Sequence, residues 1–121
     1  MIRPSVLIGF SASLIAFGAQ AAPATVQRAF GNTIVSTYPD GRTGELYLKR
    51  DGTYAAKGRR GDMSSGHWTV KGPKLCLKQS RPIAVFFSFC TPIPTGGMDK
   101  AWSAKAFTGE PIKVKLVRGH V

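Results

Sequence analysis

Ser64, Ser65 and His67 are the residues of this chain whose types and spacing come nearest to nucleophilic chemistry. A serine activated by histidine needs a third group, usually a carboxylate, to hold the imidazole in place. The carboxylates nearest in sequence, Asp51 and Asp62, fall in or beside turns, where such side chains bond the local backbone. His67 also alternates with Trp68, which puts it on the solvent side of a strand. No catalytic set is assigned, and the chain reads as a non-enzyme. Metal chemistry fares no better. His67 and His120 are the two histidines and Cys76 and Cys90 the two cysteines, with no four-ligand spacing among them. No metal or cofactor is implied. Arg60-Gly61-Asp62 matches an adhesion tripeptide too short to carry weight. Gly58-Arg59-Arg60-Gly61 lacks the strand and helix that frame a phosphate loop.

The feature above background is charge. The chain has 17 Lys and Arg against 6 Asp and Glu, a net charge of +11. Lys57, Arg59, Lys71, Lys74, Lys78, Lys105, Lys113 and Lys115 all fall on outward strand parities. Outward lysines keep a small β protein soluble and blunt its edges. The same surface also attracts anions. Lys57, Arg59, Lys71, Lys74 and Lys78 form the candidate ligand-binding set. Across a hairpin closed by the 60–65 loop they would share one outer face, with Glu45 two strands off and Asp62 in the loop. The partner this implies is an anionic envelope polymer or lipid surface, or an acidic protein. Nucleic acid is disfavoured, because Tyr47 and Phe86 are the only clear exposed aromatics among the basic residues.

The elements that must position these residues begin after an address. Met1-Ile2-Arg3 is a short basic start, Val6–Phe17 is apolar, and Ala19-Gln20-Ala21 has the small-x-small form of a signal-peptidase site. The expected leader is 1–21, and the expected mature chain, 22–121, is one domain without a transmembrane segment. Losing Arg3 removes one of the 17 basic residues and none of the 6 acidic ones, leaving +10. Localisation follows as periplasmic or secreted, an oxidising setting in which two cysteines pair as one disulfide.

Along the mature chain, Thr25–Phe30 offers a short helix, with Thr25 as N-cap and Gly31 ending it. Val26 and Phe30 would then share a face and plug a barrel end. Thr33–Tyr38, rich in β-branched residues, and the alternating Glu45–Lys49 and Thr53–Arg59 read as strands, separated by Pro39-Asp40-Gly41 and Arg50-Asp51-Gly52 turns. His67–Lys71 and Lys74–Lys78 form a hairpin over Gly72-Pro73. Ser80-Arg81-Pro82 turns into an apolar strand, Ile83–Phe89. With Leu75, Leu77, Phe87 and Phe89 facing the core, Cys76 and Cys90 share the outer parity of neighbouring strands and can bridge. Pro92 and Pro94 exclude a central strand over Thr91–Gly97. Ala101–Ala106 and Ile112–Leu116 complete the pattern, with Trp68 and Trp102 inward. About seven short strands predict an all-β fold. The meander is antiparallel and closed or nearly closed into a barrel, with a two-sheet sandwich as the alternative.

Gly31-Asn32-Thr33, Asp51-Gly52-Thr53, Gly66-x-Trp68-x-Val70 and Leu75-Cys76 with a later cysteine resemble a group of small exported bacterial proteins of unknown function. The resemblance implies a compartment and a fold and transfers no site. The functional expectation is a non-enzymatic exported envelope protein that binds an anionic component through its basic face. The alternative is a small-barrel inhibitor of a secreted hydrolase, which would need an acidic target.

Overall fold

The computed structural model describes residues 22–93 and 97–120. The expected leader and its cleavage site lie outside them, as do residues 94–96 of the proline-rich loop.

One helix, α1 (Ala24–Ala29), precedes eight strands: β1 (Thr33–Thr37), β2 (Thr43–Leu48), β3 (Thr53–Lys57), β4 (Met63–Lys71), β5 (Lys74–Arg81), β6 (Phe89–Pro92), β7 (Trp102–Lys105) and β8 (Pro111–Val117). They form one antiparallel sheet in the order β6-β5-β4-β3-β2-β1-β8-β7. The sheet curls into a nearly closed barrel, with β6 and β7 facing each other across an unpaired seam. Closure is what an all-antiparallel sheet with one apolar face needs to hide that face.

Four hairpins share one turn. In 38–42, 49–53, 58–62 and 106–110 the first N–H donates to the fifth carbonyl, and the fourth residue, a glycine, donates back to the first carbonyl. Those glycines, Gly41, Gly52, Gly61 and Gly109, have φ between 87° and 91°. This is the three-residue hairpin loop with its glycine bulge. The turn over 58–62 places the start of β4 at Met63, so the polar loop expected over 60–65 is shorter by three residues. Met63, Ser64 and Ser65 pair with Lys57, Ala56 and Ala55, and pairing, not apolar content, makes them strand.

Gly66 sits where the β4–β5 register slips. A Cβ there would run into the Lys78 carbonyl, so the bend of β4 requires glycine.

The helix starts one residue before the expected Thr25 cap. Pro23 is the N-cap, with φ −59° and no side-chain hydrogen bond. Gly31, at φ 79°, ends the helix as expected. Val26 and Ala29 are buried against Leu48, Tyr54, Leu75 and Leu116, and Phe30 and Trp68 pack on this cluster with ring centroids 5.7 Å apart. The helix therefore closes one end of the barrel. Asn32 and Thr33 tie the far end of the chain to it. The Asn32 amide nitrogen donates to the Arg28 carbonyl, its oxygen accepts from the Gly119 N–H, and the buried Thr33 hydroxyl donates to the Gly119 carbonyl.

The apolar run Ile83–Phe89 is not a strand. β5 continues through Arg81, into the expected Ser80–Pro82 turn, and β6 begins only at Phe89. Between them the chain leaves the sheet, held by Val85 N–H donating to the Gln79 carbonyl and the Gln79 amide donating to the Ile83 carbonyl. Cys76 and Cys90 lie directly opposite each other on β5 and β6 and form the expected disulfide. Cys76, placed on the outer parity, is nevertheless buried. With the two Cα atoms 4.0 Å apart, the sulfurs and the flanking backbone cover one another.

Candidate functional site

The five basic residues expected to form one surface are divided by the structure. Lys57 lies opposite Met63, whereas Lys71 stands eight residues further along β4. At about 3.3 Å per residue that is roughly 26 Å away. Glu45, expected two strands off, is the direct register partner of Lys57 on β2. Arg59 is not a surface ligand group. Its guanidinium meets Glu110 at 2.7 Å and Asp40 at 3.5 Å, and lies 4.2 Å from the centre of the Tyr38 ring. It thereby ties together three hairpin tips, 38–42, 58–62 and 106–110, at the barrel end opposite α1. Lys71, Lys74 and Lys78 do stay together. Lys71 pairs with Lys74 at the β4–β5 tip, and Lys78 pairs with His67 on the same exposed face.

The distribution of partners separates the two kinds of cation. Every ion pair among the described residues uses arginine, Arg42 or Arg59. No described lysine has a carboxylate partner; Lys113 donates to the Ser103 hydroxyl. The carboxylates are spent locally. Asp40 accepts from the Arg42 N–H, and Asp51 accepts from the Thr53 hydroxyl and N–H. These hydrogen bonds hold both acids below the usual carboxylate value, with Arg59 and Arg42 adding to the effect at Asp40 and Lys49 at Asp51. Glu45 accepts from the Tyr47 hydroxyl at 2.7 Å, which raises the phenol above its ordinary value. Tyr47 is half-buried and meets His120 with the rings tilted and centroids 4.6 Å apart, so it is not the exposed aromatic expected of it.

Phe86 is exposed, and it has company. Phe86 (91% exposed), Ile83 (72%), Phe107 (66%) and Phe87 (46%) are four of the five exposed large apolar residues among the described residues. The Phe87 and Phe107 rings stack 5.8 Å apart and nearly parallel, Phe86 meets Phe87 edge-on at 6.0 Å, and Phe89 meets Phe107 edge-on at 5.9 Å. Phe86, Phe87 and Phe89 come from the β6 side of the seam and Phe107 from the β7–β8 turn. Aromatic contact therefore bridges the gap that the backbone ladder leaves open. The expected inward placement of Phe87 fails because its segment has left the sheet, and Phe89 is half-buried. Strands carrying Lys74, Lys78 and Arg81 on one side and Lys105, Lys113 and Lys115 on the other flank this patch.

Beneath the seam and the tied hairpin tips, the barrel holds an apolar cavity of about 320 Å³. It exists because the inward residues at that end are small: Ser36, Gly44, Ala56, Ser64, Ala104 and Ala106. At the helix end the inward residues Leu48, Tyr54 and Leu116 are larger and pack with Val26 and Ala29 as the main core, and the cavity reaches down to them. Ser64 faces the interior, Ser65 pairs with Ala55, and His67 is exposed beside Lys78, so these residues form no common site. Trp68 is partly buried against the core, with its indole N–H donating to the Lys49 carbonyl at 2.8 Å. No helix of the described residues is long and apolar enough to cross a membrane. Comparison with protein-family models, curated proteins and solved structures finds no match.

Proposed function

We propose that this is a non-enzymatic exported protein that docks on an anionic lipid surface of the envelope through the aromatic seam and its lysine flanks. The observation that carries the reading is the pairing of exposed stacked phenylalanines with lysines that no carboxylate neutralises. Interfacial binding scales with apolar area placed at the headgroup boundary plus attraction between basic residues and anionic lipid. Each lysine or arginine near such a surface adds about 1 kcal/mol. An exposed apolar patch on a strongly charged small protein marks an interaction surface. The disulfide and the leader expected over 1–21 support an oxidising compartment outside the cytoplasm.

The test is co-sedimentation with phosphatidylcholine vesicles, with and without phosphatidylglycerol, over about 50–300 mM salt, where the screening length passes through about 8–10 Å. Binding is expected only with the anionic lipid, and it should weaken as salt rises. Replacing Phe86 and Phe107 together by serine should lower affinity at least about tenfold at every salt, the loss of roughly 1.4 kcal/mol of apolar burial. Lys78→Glu with Lys105→Glu should flatten the salt dependence. Equal binding to both vesicles, or unchanged binding by the serine variant, rejects the reading. Retention on a soluble polyanion with no vesicle binding would assign the lysines to a polymer instead.

A further inference from the structure

Tyr54 is the buried polar side chain that the fold leaves without a partner. It is 5% exposed and lies in the core cluster between Leu48 and Gly66, its register partners on β2 and β4. Gly66 has no side chain and so offers the Tyr54 hydroxyl no partner across the β3–β4 pair. Among the described residues nothing accepts a hydrogen bond from the Tyr54 hydroxyl or donates one to it. By contrast the Thr33 hydroxyl is satisfied by the Gly119 carbonyl and the Trp68 indole by the Lys49 carbonyl. A buried hydroxyl without a partner costs stability, and proteins seldom carry one without a use. Tyr54 also lines both the barrel cavity and a cleft under the seam bounded by Leu77, Val85, Phe87, Phe89 and Phe107. The interior therefore opens beside the exposed rings.

We propose that the barrel interior is a binding site for a small neutral apolar molecule bearing one carbonyl oxygen, which accepts a hydrogen bond from the Tyr54 hydroxyl. The size fits, since 320 Å³ is at the lower end of the range of about 300–1,000 Å³ for small-molecule pockets. An eight-stranded barrel is just wide enough to hold one such ligand. The lining is mostly apolar with a small number of polar groups, the Tyr54, Ser36 and Ser64 hydroxyls among them, the composition of ligand sites in general. Charge selects a neutral ligand. Lys57 and Lys105 on the lining are matched by Glu45 and Asp62, so the walls offer no net charge for an ionic ligand to meet. A carboxylate beside Tyr54 would be buried without a counter-charge, which is costly. Burial holds the Tyr54 phenol above its ordinary value, so at neutral pH the hydroxyl keeps its proton and donates. The fitting class is a fatty ester or a comparable carbonyl compound of medium length.

The experiment uses the oxidised protein without lipid vesicles, so it stands or falls apart from the membrane reading. N-phenyl-1-naphthylamine is displaced by methyl decanoate, by decane or by decanoate at neutral pH, and Trp102, which lines the cavity, reports occupancy by its fluorescence. Methyl decanoate should compete best, about tenfold ahead of decane, the worth of one buried hydrogen bond, and ahead of decanoate. Tyr54→Phe, which keeps the ring and removes only an unsatisfied hydroxyl, should reduce methyl decanoate to the level of decane and leave decane unchanged. Ala56→Phe should abolish displacement and the Trp102 response by filling the cavity. Ala104→Leu serves the same purpose should Ala56→Phe lose its fold by circular dichroism. Equal competition by ester and alkane, unchanged ester binding in Tyr54→Phe, or full binding in a folded cavity-filling variant overturns the proposal.

Discussion

The two ends of the barrel are closed by opposite means. At one end α1 drives Val26 and Ala29 into Leu48, Leu75 and Leu116, and Asn32 and Thr33 clamp Gly119 with hydrogen bonds. At the other, small inward residues leave space, three hairpin tips are held by the single guanidinium of Arg59, and the seam is bridged by rings that stay exposed. The helix end, the more filled of the two, contributes most of the stability through burial. The opposite end buries a smaller cluster, Ala106, Ile112 and Val114, and together with the seam it retains lysines without ion pairs and exposed phenylalanines. Binding regions are drawn from such less stabilised parts of a fold.

Mutations at the two ends should therefore differ in kind as well as in size. Leu48→Ala, at the filled end, should cost about 2–5 kcal/mol by denaturant unfolding, as for other large-to-small core changes. A cost below about 1 kcal/mol would mean the helix does not seal a packed core. Cys76→Ala opens a closed loop of fifteen residues and should cost about 2–4 kcal/mol. Labelling of both thiols in the unreduced protein would remove the staple from the account. Arg59→Ala removes the contacts to Glu110 and Asp40 and the Tyr38 stacking, and should cost about 1 kcal/mol, since exposed pairs contribute little. Reversing Arg59 to glutamate would place a carboxylate against Asp40 and Glu110, so that variant probes the turns and not a ligand surface. Phe86→Ser, at an almost fully exposed position, should change stability by no more than about 0.5 kcal/mol while weakening vesicle binding. That split between stability and binding is the signature of the seam.

Acid should act on the turns. The folded acids Asp40 and Asp51 sit below their ordinary value, so their contribution is fully present above about pH 4 and is lost as pH falls through the lowered folded values. Unfolding midpoints should hold steady from neutral pH to that point and then decline. Asp51→Asn should show a smaller acid decline than the parent protein.

Much of the fold is legible in the sequence, and most of the binding surface is not. β2 and β8 can be read from alternation, β1 from its β-branched residues, and the disulfide from the shared parity of Cys76 and Cys90. The Pro-Asp-Gly and Arg-Asp-Gly turns are equally readable, because Asp40 and Asp51 bond the backbone two residues on. Ile83–Phe89 misleads because a run of consecutive apolar residues has no period that separates a buried strand from an exposed loop. Met63–Ser65 misleads in the other direction, since polar residues become strand when a partner strand is available. The Arg59–Glu110 pair joins residues 51 apart, and nothing local announces it. Its effect is to remove Arg59 from the expected ligand set, while strand length separates Lys57 from Lys71. The inward face of Tyr54 is readable from alternation with Ala55. That its hydroxyl lacks a partner depends on the neighbours the closed barrel assembles around it, Leu48 and Gly66 among them, which no local pattern announces.

The central claim is that the seam, and not the helix end, meets the lipid. Backbone amide resonances of the unmodified, isotopically labelled protein, recorded with anionic nanodiscs carrying a paramagnetic headgroup lipid, test this residue by residue. Selective broadening is expected over 82–88 and 106–110, relieved by salt, with α1 and the 49–53 hairpin unaffected. Broadening centred on α1 or on 49–53, or none at low salt, would contradict it.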